Sequence, residues 1–278
     1  MFRWLCKKLP VISYQLSVLL TVSILFFTEN SVAQQFSLIK EIPIKGQYLK
    51  VDNLGNCYVV NHKNELHKFN IKGEPLQFYN AVRYGKIGSV DVSNPLKPLV
   101  YFPNYNTIRI LDVTLSDKGK IALMDMGFDR VNAMCLSLDN HIWIYDEITF
   151  RLKKINERLE IIQQSENLTT LLQMPVKPEF VLEKDNLLML SDPNIGILVF
   201  DIYATYNKTI PIKGLKEFQK IKEVIFFFKE GTLQSFHTKT LQYNTIPLPE
   251  IDEEIIDVKI ENNLLCVLTK SRLLLYKY

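Results

Sequence analysis

Histidines, cysteines and aspartates are the side chains of this sequence that could carry out catalysis or bind a metal. The four histidines, His62, His67, His141 and His237, are scattered, and none stands at the spacing of a metal-ligand pair. The sequence contains no Gly-x-Ser-x-Gly elbow, no glycine-rich nucleotide-binding motif and no His-Glu-x-x-His. It therefore predicts no catalytic residue and no histidine metal site.

Three cysteines follow residue 33, and each lies in an apolar run that resembles a strand. Cys57 precedes Tyr-Val-Val, Cys135 follows Ala-Met, and Cys266 follows Leu-Leu. No Cys-x-x-Cys spacing suggests redox or metal chemistry, and an odd number of cysteines permits at most one disulfide bond. We predict buried free thiols.

Asp52, Asp91, Asp139 and Asp185 each end or follow a strand-like run, just before a turn. If the fold brought such carboxylates to one axis, they could hold Ca²⁺ with the help of carbonyl oxygens. That arrangement would suit an exported hydrolase or lactonase. Asp side chains also cap turns, which explains the same positions without a ligand. We favour turn capping and predict no metal and no cofactor.

An aromatic, proline-rich stretch at residues 94–106 is the best candidate for binding a partner. Tyr101 and Phe102 belong to a strand-like run and are expected in the core. Tyr105 falls in a turn between Asn104 and Asn106, where an aromatic side chain is better explained by a partner surface than by internal packing. These three residues are the predicted partner-binding site, for a protein or, alternatively, for a sugar or peptide.

Residues 1–33 have the pattern of a signal peptide. Basic residues precede an apolar run at 11–27, and Ser31 and Ala33 stand where a signal peptidase requires small residues. Cleavage would leave Gln34 as the first residue of an exported mature protein. The alternative is an uncleaved membrane anchor, because 17 apolar residues approach the length that spans a bilayer.

The charge balance excludes some classes of partner. The whole chain has 33 basic and 30 acidic residues, and the signal peptide would remove Arg3, Lys7, Lys8 and Glu29. The mature protein is then nearly neutral. Nucleic acids and anionic membrane surfaces require a clustered positive field, so neither is expected as the main partner.

A repeat organises residues 34–278. Six segments share an apolar strand that ends in a large apolar residue and then a polar one, and their second residues are Leu66, Ile108, Leu152, Ile197, Leu233 and Leu273. Successive units are 36 to 45 residues apart, the period of a propeller blade. A further apolar strand precedes each segment, and Asp, Asn and Gly fill the turns.

The repeat predicts an all-β, six-bladed propeller formed by residues 34–278. The last unit ends at its third strand, whereas an extra strand at residues 36–44 precedes the first unit. We therefore predict that this N-terminal strand completes the last blade and closes the ring, since an open ring would expose unpaired edges. A β-sandwich accounts poorly for six equal units, and the best helical candidate is a short segment near residues 165–173.

With the units aligned, the chain resembles a group of secreted bacterial six-bladed propellers that includes the plug of the type nine secretion translocon. The residues that carry the resemblance lie at 51–58, 91–97, 107–112 and 138–146, and the similarity extends over essentially the whole mature chain. The resemblance implies a non-enzymatic periplasmic protein that occludes the periplasmic mouth of a large outer-membrane β-barrel. It implies no catalytic residues.

Overall fold

A computed structural model of the protein describes residues 36–80 and 82–278. These residues form six sheets, each of four antiparallel strands, arranged as the blades of a propeller. The predicted six-bladed fold is confirmed. The predicted signal peptide, residues 1–33, lies outside the described residues.

The strands follow the chain from blade to blade, with one exception. The first five blades each use four consecutive strands: β2 (Gly46–Val51), β3 (Cys57–Asn61), β4 (Glu65–Phe69) and β5 (Pro75–Asn80); β6 (Ser89–Asp91), β7 (Leu99–Phe102), β8 (Thr107–Leu111) and β9 (Asp117–Ala122); β10 (Val131–Leu136), β11 (Ile142–Asp146), β12 (Arg151–Ile155) and β13 (Ile161–Gln164); β14 (Phe180–Lys184), β15 (Leu187–Asp192), β16 (Gly196–Asp201) and β17 (Tyr206–Ile210); β18 (Gln219–Ile221), β19 (Val224–Lys229), β20 (Thr232–His237) and β21 (Tyr243–Ile246). Blade 6 contains β22 (Ile255–Glu261), β23 (Leu264–Thr269), β24 (Arg272–Lys277) and β1 (Ser37–Pro43).

In four of the six repeated segments, the polar residue at the end caps the turn that follows the third strand with its side-chain oxygen. The Asn70 side chain accepts hydrogen bonds from the backbone N–H groups of Lys72 and Glu74, both at 2.9 Å. The same pattern recurs at Asp112, Asn156 and Asp201. Asn and Asp side chains stabilise tight turns in this way. The repeat in the sequence therefore corresponds to a repeated turn as well as a repeated strand.

The ring closes through β1, as predicted. β1 pairs antiparallel with β24, and Ile42 lies opposite Leu273. Ile42 is buried, whereas Leu38 at the other end of β1 is exposed. The pairing covers the edge of β24 that would otherwise present unpaired backbone groups.

Most of the core lies between neighbouring blades. One cluster joins Trp143 and Tyr145 of blade 3 to Leu188 and Phe200 of blade 4, and all four side chains are completely buried. The alternating pattern of the strands supplies these side chains, because successive residues point to opposite faces of each sheet. Stacking the blades therefore buries both faces of most sheets.

Helical structure is confined to connections between strands. The α-helix α1 (Leu168–Leu172) lies within the predicted segment 165–173, and short 3-10 helices occur at Val82–Tyr84, Pro103–Tyr105 and Met124–Met126. In the part of the chain that the structure describes, no helix is long and apolar enough to cross a membrane.

Candidate functional site

The two faces of the propeller differ in which connections they carry. The upper face, as we define it, carries the connections between blades and the turns between second and third strands. The lower face carries the turns between first and second strands and between third and fourth strands. The first strands of several neighbouring blades contact one another and surround the axis. Candidate sites occur on the upper face and along this axis.

The predicted residues Asn104, Tyr105 and Asn106 lie on the upper face, in the turn between β7 and β8. Tyr105 is 60% exposed, and Asn104 is also exposed. Asn106 is buried, and its backbone is left-handed with φ of 44°. Asn106 is therefore inaccessible to a partner, and the predicted site reduces to the other two residues.

Asn106 holds the turn in place from inside. Its side-chain oxygen accepts a hydrogen bond from the Tyr101 hydroxyl at 2.9 Å, and its side-chain nitrogen donates to the carbonyl of Phe128. Asn tolerates left-handed backbone better than most residues because its short polar side chain bonds locally. The Tyr101 hydroxyl oxygen also lies 3.0 Å from the carbonyl oxygen of Val131, so this turn packs against the start of blade 3.

Exposed apolar side chains cluster on the same side of the upper face. Six of them, each between 39% and 63% exposed, occupy the loops of blades 1 to 3: Val82, Tyr105, Met124, Ile148, Leu171 and Met174. We call this set the apolar arc. The described upper-face loops of blades 4 to 6 expose no large apolar side chain and instead expose charged ones such as Lys213, Lys216, Glu250 and Glu254.

Backbone hydrogen bonds connect the loops of the apolar arc from blade to blade. The N–H of Leu123, beside Met124, donates to the carbonyl of Asn106 at 3.0 Å. The N–H of Glu147, beside Ile148, donates to the carbonyl of Arg130 at 3.1 Å. These bonds make the loops of blades 2 and 3 one continuous surface.

Contacts at both ends extend this surface. At one end, a Cβ added to Gly85 would come 3.1 Å from the Cβ of Asn104, so the Val82 turn lies against the Tyr105 turn. At the other end, the N–H of Leu168 in α1 donates to the carbonyl of Phe150 at 2.8 Å. Asn167 caps α1 by accepting from the N–H of Thr170, which fixes the helix that presents Leu171.

A cavity of about 130 Å³ lies on the axis. Apolar side chains such as Phe180 and Phe218 line part of it, and Lys50, Glu217 and Lys259 line another part. At the lower face its lining includes Asn53 and Ser93, which are exposed. The cavity is therefore a second place where a small ligand could bind.

The charges beside this cavity neutralise one another. The Lys259 ammonium lies 2.5 Å from Glu217 and 2.7 Å from Asp257, and Lys50 forms a second ion pair with Glu217. Burial opposes ionisation of Glu217, but Lys259 and Lys50 outweigh it and lower its pKa to about 2. Burial raises the pKa of Asp257 above its ordinary value. Two cations and two acids thus form an internal network near the axis.

The four aspartates considered for calcium cap turns or form ion pairs. Asp52 accepts from the N–H groups of Leu54 and Asn56, both at 2.9 Å, and Asp91 accepts from the N–H of Ser93 at 2.7 Å. Asp139 and Asp185 pair with lysines of their own or a neighbouring blade. Within residues 36–80 and 82–278, no three His, Cys, Asp or Glu side chains are grouped to hold a metal ion.

Three of the four histidines make local side-chain contacts, and the backbone N–H of the fourth, His62, donates to the carbonyl of Lys45 at 3.1 Å. His67 stacks on Phe78 with 5.7 Å between ring centroids, His141 lies 3.1 Å from Asp139, and the His237 ring caps a turn. No histidine is among the described residues that line the axial cavity.

Sequence analysis missed most of the apolar arc and the whole axial charge network. The signal for the arc was present, since Val82, Met124 and Ile148 are apolar residues in connections where polar ones are usual. The network left no signal, because Lys50, Glu217 and Lys259 are distant in sequence and ordinary in type.

Comparisons with known proteins give a shared fold. No protein-family model matches the sequence, and no curated protein is similar to it in sequence. Among solved structures, virginiamycin B lyase from Staphylococcus aureus superimposes with a TM-score of 0.63 at 13% identity, covering 88% of this chain and 100% of the lyase. BamB from Moraxella catarrhalis gives a TM-score of 0.52 at 11% identity, covering 88% of this chain and 98% of BamB. Both likenesses show a shared β-propeller fold.

Proposed function

We propose that this protein is a non-enzymatic interaction module of the periplasm that binds a protein partner through the apolar arc. The observation that carries the proposal is the uneven distribution of exposed apolar side chains within the upper face, where the described ones lie in the loops of blades 1 to 3 and not in those of blades 4 to 6. Contiguous exposed apolar surface on a soluble protein marks an interaction site. Tyr and Met are also enriched in the centres of protein interfaces.

The partner that we propose is the periplasmic end of a large outer-membrane secretion pore, which the propeller would occlude when no substrate passes. The resemblance to secreted propellers of a secretion translocon supports this choice. The shape of the fold supports it too, because six stacked blades form a rigid disc with one broad loop face. An apolar half and a charged half on that face would let one edge of the disc stay docked while the other lifts.

A propeller hydrolase or lyase is the competing function. One of the similar lyase structures is a histidine-to-alanine variant described as catalytically inactive and bound to quinupristin, with a TM-score of 0.62 at 14% identity. In this chain, the described residues that line the axial cavity include no histidine. Lys50 and Lys259 pair with Glu217 there, and a carboxylate so stabilised in its ionised form is a poor general base. These features favour binding over catalysis.

The test is affinity purification of the tagged protein from detergent-extracted membranes of its native host, with mass spectrometry of the proteins recovered. The test variant combines Tyr105→Ser with Met124→Ser, both in the apolar arc. The matched control is Tyr203→Ser, since Tyr203 is 70% exposed in a turn on the lower face. We expect the wild type and the control to recover the same large outer-membrane barrel, and the double variant to lose it at least tenfold.

Two results would contradict the proposal. Recovery of the propeller alone from wild-type membranes would exclude a stable pore complex. Equal recovery of the barrel by the double variant would exclude the apolar arc as its binding surface. Circular dichroism of all variants confirms that each is folded before the comparison is made.

A further inference from the structure

Two cysteines far apart in the sequence meet where blade 1 packs on blade 6. Cys57 lies in β3 and Cys266 in β23, separated by 209 positions, and their sulfur atoms are 3.0 Å apart. Both are completely buried free thiols in this structure, as the sequence predicts, and Cys135 is also a buried free thiol. Even the smaller carbon atoms pack best at about 3.5–4.0 Å when they are not bonded, so the two sulfurs are closer than ordinary packing would place them.

The surroundings of the two thiols favour a covalent bond. Both belong to one apolar cluster with Val59 and Leu268. Blades 1 and 6 approach closely there, because a Cβ on Gly46 would lie 2.7 Å from the Cγ1 of Val59 and 2.8 Å from the Cδ1 of Leu268. A disulfide requires sulfurs about 2.05 Å apart and Cα atoms within about 7 Å. A further approach of about 1 Å by the sulfurs would reach bonding distance.

We propose that Cys57 and Cys266 form a disulfide bond that joins blade 1 to blade 6. The proposal rests on the export of the protein to the periplasm, which is part of the proposed function, because disulfides form and persist in that compartment. The bond would connect the two blades between which the ring of the propeller closes, next to the pairing of β1 with β24. Closure would then have a covalent component as well as a hydrogen-bonded one.

The reaction is thiol–disulfide exchange with a disulfide-bearing oxidant. The thiolate of one cysteine attacks the oxidant's disulfide, which forms a mixed disulfide and releases one thiol of the oxidant. The second thiolate then attacks the cysteine sulfur of the mixed disulfide, which forms the Cys57–Cys266 bond and releases the second thiol. The cysteine pair loses two electrons and two protons, and the oxidant gains the same two electrons and two protons as its disulfide becomes two thiols.

Burial determines when this exchange occurs. Burial raises the pKa of Cys266 well above its ordinary value, so the reactive thiolate is scarce in the folded protein. The first attack therefore precedes the packing of blade 1 on blade 6, and the second occurs as the ring closes and brings the two cysteines together. The finished bond is then shielded from reductants. Cys135 lies in a different cluster in blade 3 and stays a thiol.

In the first experiment an alkylating reagent is added to cells of the native host before lysis, and the cells are then lysed in denaturant with the reagent still present, so that every free thiol of the tagged protein is blocked. Peptide mapping of the purified protein follows. We expect the Cys57 and Cys266 peptides to be linked, to separate on reduction, and to lack the reagent until then. Cys135→Ser is the matched control and keeps the linked peptides. Cys57→Ser leaves Cys266 open to alkylation. Reduction is expected to lower the melting temperature by several degrees.

The same sample separates a failure of the disulfide from a failure of export, because the N-terminal peptide reports whether residues 1–33 have been removed. Alkylated Cys57 and Cys266 in a protein with a processed N-terminus overturn the disulfide while export stands. If the N-terminus is unprocessed and both thiols are alkylated, the purified chain is refolded in a mixture of reduced and oxidised glutathione. Free thiols at both positions after refolding then overturn the disulfide, and a linked pair supports it.

Discussion

The ammonium group of Lys259 lies 2.5 Å from a carboxylate oxygen of Glu217. Lys259 belongs to the inner strand of blade 6 and Glu217 to the connection that enters blade 5, so this ion pair joins the two blades. Lys50 of blade 1 pairs with the same carboxylate. One acid thus links three consecutive blades, 5, 6 and 1, near the axis. An acid in this position makes the stability of the propeller depend on pH.

Acidification should destabilise the protein through Glu217. Its pKa in the folded protein is about 2, below its ordinary value of 4.5. The unfolded chain therefore binds the proton first, so the stabilisation is complete above about pH 4.5 and is lost as the pH falls towards 2. The loss is on the order of 2–3 kcal/mol. Asp257, whose pKa is raised by burial, acts in the opposite direction.

Urea unfolding at pH 5 and pH 3 measures this effect in the wild type, Glu217→Gln and the control Glu250→Gln. Glu250 is an exposed residue in the upper-face connection between blades 5 and 6. We expect Glu217→Gln to flatten the pH dependence and Glu250→Gln to retain it. Parallel pH dependence in all three proteins would show that the axial network does not govern acid stability.

The pairing of β1 with β24 should govern the stability of the whole ring. Ile42→Ala removes a buried side chain from β1 and is expected to cost about 2–4 kcal/mol, as other large-to-small core substitutions do. Leu38→Ala on the same strand removes a side chain that is 53% exposed and should cost under about 0.5 kcal/mol. Thermal unfolding followed by circular dichroism compares them.

Deletion of residues 34–45 is the stronger form of the same test. It removes β1 and leaves the edge of β24 unpaired, so we expect a large fall in melting temperature or the loss of a cooperative transition. An unchanged thermal transition in the truncated protein would refute closure by β1.

The close approach of blades 1 and 6 at Gly46 makes this glycine sensitive to a single added carbon. Gly46→Ala would place a Cβ 2.7 Å from Val59 and should cost about 1–3 kcal/mol through overpacking. Gly119→Ala in β9 is the control, because its added Cβ would meet only Ile110, at 3.6 Å. Chemical denaturation should give a lower unfolding free energy for Gly46→Ala than for Gly119→Ala. Equal stabilities would mean that the interface between blades 1 and 6 rearranges to accommodate the added carbon without loss of stability.

Substitution of Asn106 should lower the stability of the protein, whereas substitution of Tyr105 should not. Asn106→Ala removes two internal hydrogen bonds and a residue suited to left-handed backbone, so we expect a loss of about 2 kcal/mol in unfolding free energy. Tyr105→Ser should leave the unfolding free energy within about 0.5 kcal/mol of the wild type, because its side chain is exposed. Calorimetry of the two variants checks this, and a strongly destabilised Tyr105→Ser would assign Tyr105 to packing.

The sequence was sufficient to predict the blades because local chemistry repeats in them. Asn70, Asp112 and Asn156 mark equivalent turns, and each stands directly after a strand with the same apolar pattern. The closure was predictable as well, since the unit that lacked a strand and the extra strand at residues 36–44 stood at opposite ends of the repeat. The first signal depends on neighbours in the sequence, and the second on the order of strands along the chain.

The sites depend on tertiary neighbours and were harder to predict. Asn106 was expected on the surface, but Tyr101 and Phe128 approach it only after blades 2 and 3 have packed. The meeting of Cys57 with Cys266 likewise requires a closed ring. Apolar residues such as Met124 could have been recognised as exposed only once the connections of several blades were placed on one face.

Because β1 closes the ring, it is also the strand that two molecules could exchange. Glu41 and Arg272, which form an ion pair across β1 and β24, are 231 residues apart, so this contact forms late when a chain folds alone. A second molecule at high concentration can supply the same strand sooner. The interaction that completes one propeller is thus the one through which two molecules would exchange strands and form a domain-swapped dimer.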